Sequence, residues 1–298
     1  MNRAKIGITL IYKVTKRFAS TLKAKKLPIK GRPKVYDESI FLTILLVREL
    51  TGYSYREAIL AVKRELRIKK MPALSTIHYR ISTMSKRIII KFNKFLVNKL
   101  IKSKLPRYIE DIYVAIVDGT GFSFNDLYPL RIYRGKEVRM VKSHVKLCVI
   151  IGVTVRGERV ILGISSGDAY SSEIKLVRDA LEQAYDVLGI RAEGMPFVGD
   201  KGYDSVRFME RLRELGFIPV IKVREGRLRG VRNELRMESK READKEGGVY
   251  RRRVLIESLF GTLKSKLGVH IYAKRVDIAQ KEAMMRIILW NIYLLASE

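Results

Sequence analysis

The sequence predicts an α/β protein, a mixed five-stranded sheet with flanking helices, preceded by a small all-α region. Three observations lead there. Apolar residues recur at helical spacing before about residue 84; strand-like apolar runs alternate with helical stretches after about residue 108; and positive charge gathers in two tracts. Residues 1–36 hold eleven Lys/Arg and residues 85–107 hold eight, with no acid in either. The chain therefore divides into a basic helical region over 1–107 and an α/β region over 108–298.

In the first region Ile40, Phe41, Ile44, Leu45, Val47 and Leu50 follow a helical period that Gly52 breaks. Ser54-Tyr55-Arg56-Glu57 is a capping-box sequence, and Ile59, Leu60, Val62 and Leu66 continue behind it as a second helix. Pro72 ends the connection, and Ser75 is placed to cap a third helix with His78 in its first turns. Three short helices between basic tracts read as a helix-turn-helix-like, DNA-binding module, or equally as a small bundle with solvated lysines.

In the second region residues 112–117 form an apolar run that ends at Asp118 and a Gly-Thr-Gly turn. Residues 145–155 and 159–164 read as two further strands joined by Arg156-Gly157-Glu158. Ser171 or Ser172 caps a helix to about residue 188, and a short strand over 195–199 ends at Asp200. A helix over 205–215 is stopped by Gly216, and a fifth strand follows over 217–223. Residues 224–249 are highly charged and poor in large apolar side chains, which predicts an exposed excursion. Helices over 250 to about 267 and over 277–296 close the chain. A meander followed by crossover units is the element order of a ribonuclease-H-like fold.

Sixty Lys+Arg against 31 Asp+Glu leave a formal net charge of +29 on 298 residues. Self-repulsion of that size is normally relieved by a polyanion, so nucleic acid is the first partner to expect. A membrane surface is the rival, but no apolar run approaches the ~20 residues a spanning helix needs. The apolar stretch over 6–12 is short and cut by Lys13, so no export signal is expected. One cysteine, Cys148, leaves no disulfide framework or cysteine zinc site within one chain, which fits a reducing cytoplasm.

Three carboxylates stand at telling places: Asp118 after the first strand, Asp200 after the fourth, and Glu257 on the helix behind the excursion. Ligands of α/β sheets collect beyond the carboxyl ends of strands, so the two aspartates can approach one another. Converging carboxylates repel unless cations sit among them, and oxygen-only ligands suit Mg²⁺ or Mn²⁺. Two such ions roughly 3.5–4 Å apart can serve an in-line phosphoryl displacement. At about 100° per residue Tyr250, Arg253, Glu257 and Lys264 fall within an arc of roughly 60°. Leu255, Ile256, Leu259, Leu263 and Leu267 remain free to face the core. An Arg253–Glu257 solvent pair explains part of that stripe, but not the tyrosine and the distant lysine on it. His78, His144 and His270 show no metal-ligand spacing, Asp168 and Asp204 read as turn residues, and Lys201 is as compatible with a solvated cation as with a DNA contact.

The spacing Tyr250, two residues, Arg253, three residues, Glu257, six residues, Lys264 resembles the signature of the insertion-sequence-four superfamily of DDE transposases, with its related insertion-sequence-five group. Asp118-Gly119-Thr120 and Asp200-Lys201-Gly202-Tyr203 are similar to that superfamily's first and second acid motifs, and the resemblance spans about residues 108–295. It implies Asp118, Asp200 and Glu257 as catalytic ligands of two Mg²⁺ ions, with Mn²⁺ able to substitute. It also implies Tyr250, Arg253 and Lys264 as DNA phosphate contacts. The implied reaction is hydrolysis at element ends, then attack of the freed 3′-hydroxyl on target DNA. The implied partners are terminal repeats, target DNA and a second copy of the chain, on the nucleoid of a prokaryotic cytoplasm. The rivals are a metal-dependent nuclease without strand transfer and a domesticated DNA-binding derivative. Some relatives carry a β insertion with a base-stabilising tryptophan between the second and third acids. Here no tryptophan lies between Asp200 and Glu257, and Trp290 reads as core, so that route to a hairpin intermediate is not expected and the excision pathway stays open.

Overall fold

The structure, a computed structural model, describes residues 6–23, 36–102, 111–132, 137–224 and 233–297. Parts of both basic tracts and residues 225–232 of the expected excursion lie outside these.

Five helices precede the sheet among the described residues: α1 (Ile8–Lys23), α2 (Glu38–Thr51), α3 (Tyr55–Glu65), α4 (Leu74–Thr83) and α5 (Lys86–Lys102). The capping signals act as expected at two of them. Asp37 accepts from the Ser39 amide at the start of α2, Gly52 ends it at φ 79°, and Ser54 and Glu57 form the reciprocal box of α3. At α4 the expectation fails by two residues. Ala73 occupies the cap with no side-chain bond, and Ser75 lies inside the first turn. Helices α1 and α5 come from the basic tracts, where apolar residues hide between lysines at helical spacing. Ile11 and Phe18 on α1, and Ile89, Phe92, Leu96 and Leu100 on α5, are buried.

The remaining elements are β1 (Ile112–Ile132), β2 (Glu137–Thr154), β3 (Arg159–Gly167), α6 (Glu173–Leu188), β4 (Pro196–Gly199), α7 (Val206–Glu214), β5 (Ile218–Ile221), α8 (Glu234–Asp244), α9 (Val254–Leu267), β6 (His270–Ile271) and α10 (Val276–Ala296). The described strands form one mixed six-stranded sheet with flanking helices, in the order β3-β2-β1-β4-β5, with β6 added on β1. Strands β1, β2 and β3 form the antiparallel meander, while β4, β5 and β6 join in parallel. The sixth strand corrects the expected five. It pairs only Ser123 and Phe124 with His270 and Ile271, too short a ladder to leave a sequence signal.

A second correction concerns β1. It does not end at Asp118, which pairs with Val149 in mid-strand; the ladder runs on through Gly119-Thr120-Gly121. Phe122 and Phe124 are both buried, so the period-two alternation continues through what reads as a turn.

Both outer strands have side chains on their free backbone groups. At β3 the Ile161 amide donates to Asn291 Oδ1 (3.0 Å), and the Ile161 carbonyl accepts from Asn93 (3.1 Å) and Asn291 (2.9 Å). Gln183 of α6 serves Ile164 in the same way at 3.1 and 2.9 Å. At β5 the Ser239 hydroxyl on α8 accepts from the Ile221 amide (2.8 Å) and donates to its carbonyl (3.1 Å). The part of 224–249 carrying α8 is therefore a packed edge cover, not a solvated excursion. Helix α10 is buried along nearly its whole length and carries Trp290 in the core as expected, with its indole donating to the Arg159 carbonyl.

Candidate active site

Register and helix geometry together bring the three predicted acids to one place. Strand β4 pairs with β1 through Ala115–Phe197 and Ile116–Val198, and continuing that register by two residues brings Asp118 level with Asp200. Asp200 leaves β4 as the cap of a short 3₁₀ turn, its Oδ1 accepting from the Gly202 amide at 2.7 Å. Tyr250 and Arg253 do not belong to one α-helix with Glu257. They lie on a 3₁₀ turn over Val249–Arg253 that leads into α9, with Glu257 in the first turn of that helix.

Arg253 is the centre of the arrangement. Its Nη2 lies 3.2 Å from Asp118 Oδ2 and its Nη1 2.7 Å from Glu257 Oε1. Its Nε is buried, with no hydrogen-bond partner among the described residues. Burial pushes the Asp118 carboxyl above its ordinary range. Arg253 and the Gly119 amide pull it back, and the charges of Asp200 and Glu257 push it up. Burial likewise raises the Tyr250 phenol, opposed by Arg253. Lys264, two turns further along the same face of α9, lies with Nζ 5.8 Å from the centre of the Phe122 ring, and burial lowers its pKa. The Tyr250 ring is covered by Lys222 at 5.4 Å. All six predicted site residues thus line one surface running across β4 and β1 and along α9.

Among the described residues no three His, Cys, Asp or Glu side chains stand close enough together to hold a metal ion as they are. The reason is visible: the Arg253 guanidinium occupies the space between Asp118 and Glu257. The donor set itself, three carboxylates and nothing soft, suits a hard divalent cation. A buried carboxyl whose anion is disfavoured, beside a guanidinium with an unpartnered Nε, is a place where a cation could take over the arginine's charge.

The structure also brings in one acid that sequence reasoning missed. Glu173, in the first turn of α6, carries its carboxylate between the glycines that follow the two aspartates. A Cβ on Gly202 would stand 2.3 Å from Glu173 Oε2, and one on Gly119 would stand 3.9 Å from Oε1. Lys146 Nζ is 3.6 Å from that Oε1 and donates to the Ser171 carbonyl at 3.2 Å. Glu173 resembles any acid at a helix start, so only the Gly202 close approach could have pointed to it. Behind them Tyr203 packs its hydroxyl 3.8 Å from Cys148, whose thiol burial pushes up to about 12 and so keeps unreactive. His144 Cδ2 would lie 3.4 Å from a Cβ on Gly121, close to the strand but outside the acid group, and His78 packs on Tyr55. His270 reaches Ser123 at 3.1 Å.

Asp118 within β1, Asp200 just past the end of β4 and Glu257 in the first turn of α9 thus lie within reach of one another's charge. The model of the transposase DDE domain matches residues 110–292, and the chain belongs to that family. It is a transposase. An uncharacterized protein of Aquifex aeolicus (strain VF5) is 31% identical over 295 residues, covering 97% of this chain and 87% of that one. Among solved structures, a piggyBac transposase synaptic complex with hairpin DNA aligns over 97% of this chain and 72% of that chain at 11% identity, with a TM-score of 0.40. No helix among the described residues is long and apolar enough to cross a membrane.

Proposed function

We propose that the chain is a transposase of the insertion-sequence-four superfamily or its insertion-sequence-five group, with a ribonuclease-H-like catalytic domain over 108–298 and a basic, DNA-end-binding helical domain over 1–107. In this reading Asp118, Asp200 and Glu257 hold two Mg²⁺ ions, or Mn²⁺ in their place. Tyr250, Arg253 and Lys264 hold the phosphates of the terminal DNA. The observation that carries the reading is the bridge of Arg253 between Asp118 and Glu257, with Asp200 just past the end of β4, the parallel neighbour of β1.

The chemistry follows from the residues. When bound, divalent ions supply activation of the attacking oxygen and charge stabilisation of the leaving one. Arg253 exchanges its carboxylate partners for a DNA phosphate, giving up Asp118 and Glu257 as it turns. The guanidinium is suited to both, because its planar fork matches carboxylate and phosphate alike. Lys264, its ammonium half-buried over Phe122, holds a second phosphate at the other end of the stripe. The Asp200 turn, pinned by the Gly202 amide, keeps that carboxylate in place while the strand is positioned. Hydrolysis frees a 3′-hydroxyl, which then attacks a target phosphodiester; a homodimer brings two ends together.

Incubation with terminal DNA, target plasmid and Mg²⁺ tests this reading against its rivals. Joined products support it; cleavage without joining leaves a nuclease, and tight binding without chemistry leaves a DNA-binding derivative.

A further inference from the structure

Beyond the stripe on α9 lies a basic recess of about 540 Å³ lined by Lys201, Lys222, Val223, Arg224, Lys240 and Asp244. Its position is set by the sheet. Lys201 directly follows Asp200 at the end of β4, and Lys222 directly follows β5 on the outer side of β4. Lys264 lies on the other side of Asp200, against Phe122 of β1. The carboxylates thus stand between two cationic flanks, and Tyr250 under Lys222 joins the recess to the site.

The recess is tied together by an ion pair whose acid, Asp204, is buried. The Asp204 side chain is 4% exposed and accepts from Arg236 Nε (2.9 Å) and Nη2 (2.6 Å). It also accepts from the Arg224 amide at 2.8 Å. Arg236 Nη2 donates to the Arg224 carbonyl, and Arg224 Nε donates to the Lys201 carbonyl, both at 2.9 Å. The loop after Asp200, the segment after β5 and helix α8 are therefore locked together. Lys240 is neutralised by Asp244 at 2.8 Å, whereas neither Lys201 nor Lys222 has an acidic partner among the described residues, and both are exposed. Unpaired cations fixed on a tied framework beside catalytic acids suit a repeating anion, and backbone phosphates need no base contacts.

We propose that this recess binds the phosphodiester backbone of sequence-nonspecific DNA, on the side of the scissile phosphate opposite Lys264. The inference rests on the transposase reading above. Two sources share that chemistry: donor DNA flanking the element, still joined to it before cleavage, and target DNA before joining.

The test is the salt dependence of binding to a mixed-sequence duplex of about 20 base pairs, read by fluorescence anisotropy, for wild type and for Lys201→Gln/Lys222→Gln. The control is Lys175→Gln/Arg178→Gln on the exposed face of α6. Loss of two phosphate contacts lowers the slope of log K against log salt by about 1.8 and weakens binding by roughly 60-fold at about 0.1 M salt, with the control unchanged. An unchanged slope, or an equal loss in the control, overturns the proposal while leaving the transposase reading intact. Absence of salt-dependent binding by wild type overturns both. Terminal DNA still carrying its flank, compared with a pre-cut end plus separate target, then separates the sources. A cleavage defect on the former assigns the recess to flank, and a joining defect on the latter assigns it to target. No defect on either overturns its role in the reaction.

Discussion

Arg253 Nη2 sits 3.2 Å from Asp118 Oδ2, across 135 residues of sequence, and so puts a permanent cation beside an acid whose anion burial disfavours. The first prediction follows from that competition. With Arg253→Met the guanidinium no longer holds Asp118 and Glu257, and the three acids repel until a divalent ion arrives. The variant is expected to bind Mn²⁺ tighter than wild type, while cleaving terminal DNA on the order of 10²-fold more slowly for want of its phosphate contact. Mn²⁺ titration by electron paramagnetic resonance, beside a single-turnover cleavage assay, checks both halves. Weaker Mn²⁺ binding in the variant would contradict the account.

Gly202 answers a question of space, not of backbone angle. An alanine Cβ there would meet Glu173 Oε2 at 2.3 Å and Asp200 Oδ1 at 2.8 Å. Both atoms are the ends of side chains and Glu173 is free to move, so Gly202→Ala should cost no more than about 1 kcal/mol of stability while pushing Glu173 aside and shifting the Asp200 turn. Adding Glu173→Ala removes the larger clash, so the double variant should recover most of the loss in urea denaturation. A double variant no better than the single one would mean that Glu173 does not set the constraint.

How much of this could be read from the chain alone is clear from particular residues. Motif spacing singles out Asp118, Asp200, Tyr250, Arg253, Glu257 and Lys264, and the fold brings these six to one surface, which local spacing alone does not require. The long β1–β2 hairpin was not legible, because Gly119-Thr120-Gly121 mimics a turn and only the alternation of Phe122 and Phe124 betrays a continuing strand. Helix α8 was hidden by its composition; its packing depends on Ser239 and Ala243, small residues that carry no hydrophobic period. Glu173 joins the site only through tertiary approach, which no local pattern encodes.

Ser239 gives a stability prediction of its own. Its hydroxyl serves both the amide and the carbonyl of buried Ile221 on the outer strand β5. Ser239→Ala leaves both backbone groups without that partner and should cost about 1–3 kcal/mol, seen as a lower urea midpoint with unchanged slope. No measurable loss would mean that water reaches the β5 edge.

The buried ion cluster between the helices ahead of the sheet and α10 predicts a pH dependence. Glu282 accepts from the Tyr55 hydroxyl at 2.7 Å and lies 2.8 Å from Arg48 Nη1. Glu49 pairs with Arg286 at 2.7 Å. Burial, then the charge of Glu49, raise the Glu282 carboxyl from its ordinary 4.5 to about 7, with Arg48 opposing. The folded state then holds this proton more tightly than the unfolded chain. Its contribution to stability is therefore full below about 4.5 and is lost as pH rises through about 7. Wild type should lose stability relative to Glu282→Gln between about pH 5 and about pH 8, by chemical denaturation at each pH. A difference that stays constant over that window would contradict the assignment.

The central claim is that the three carboxylates act together in metal-dependent end cleavage and joining, and one measurement tests it most directly. Wild type and Glu257→Gln are incubated with the element's terminal DNA, a target plasmid and Mg²⁺, and joined products are counted. Glutamine keeps the side-chain shape of residue 257 and a carbonyl oxygen facing Arg253 but removes the carboxylate charge. The account predicts joined products from wild type alone, with end binding retained in the variant. Joining at wild-type level by Glu257→Gln would contradict it.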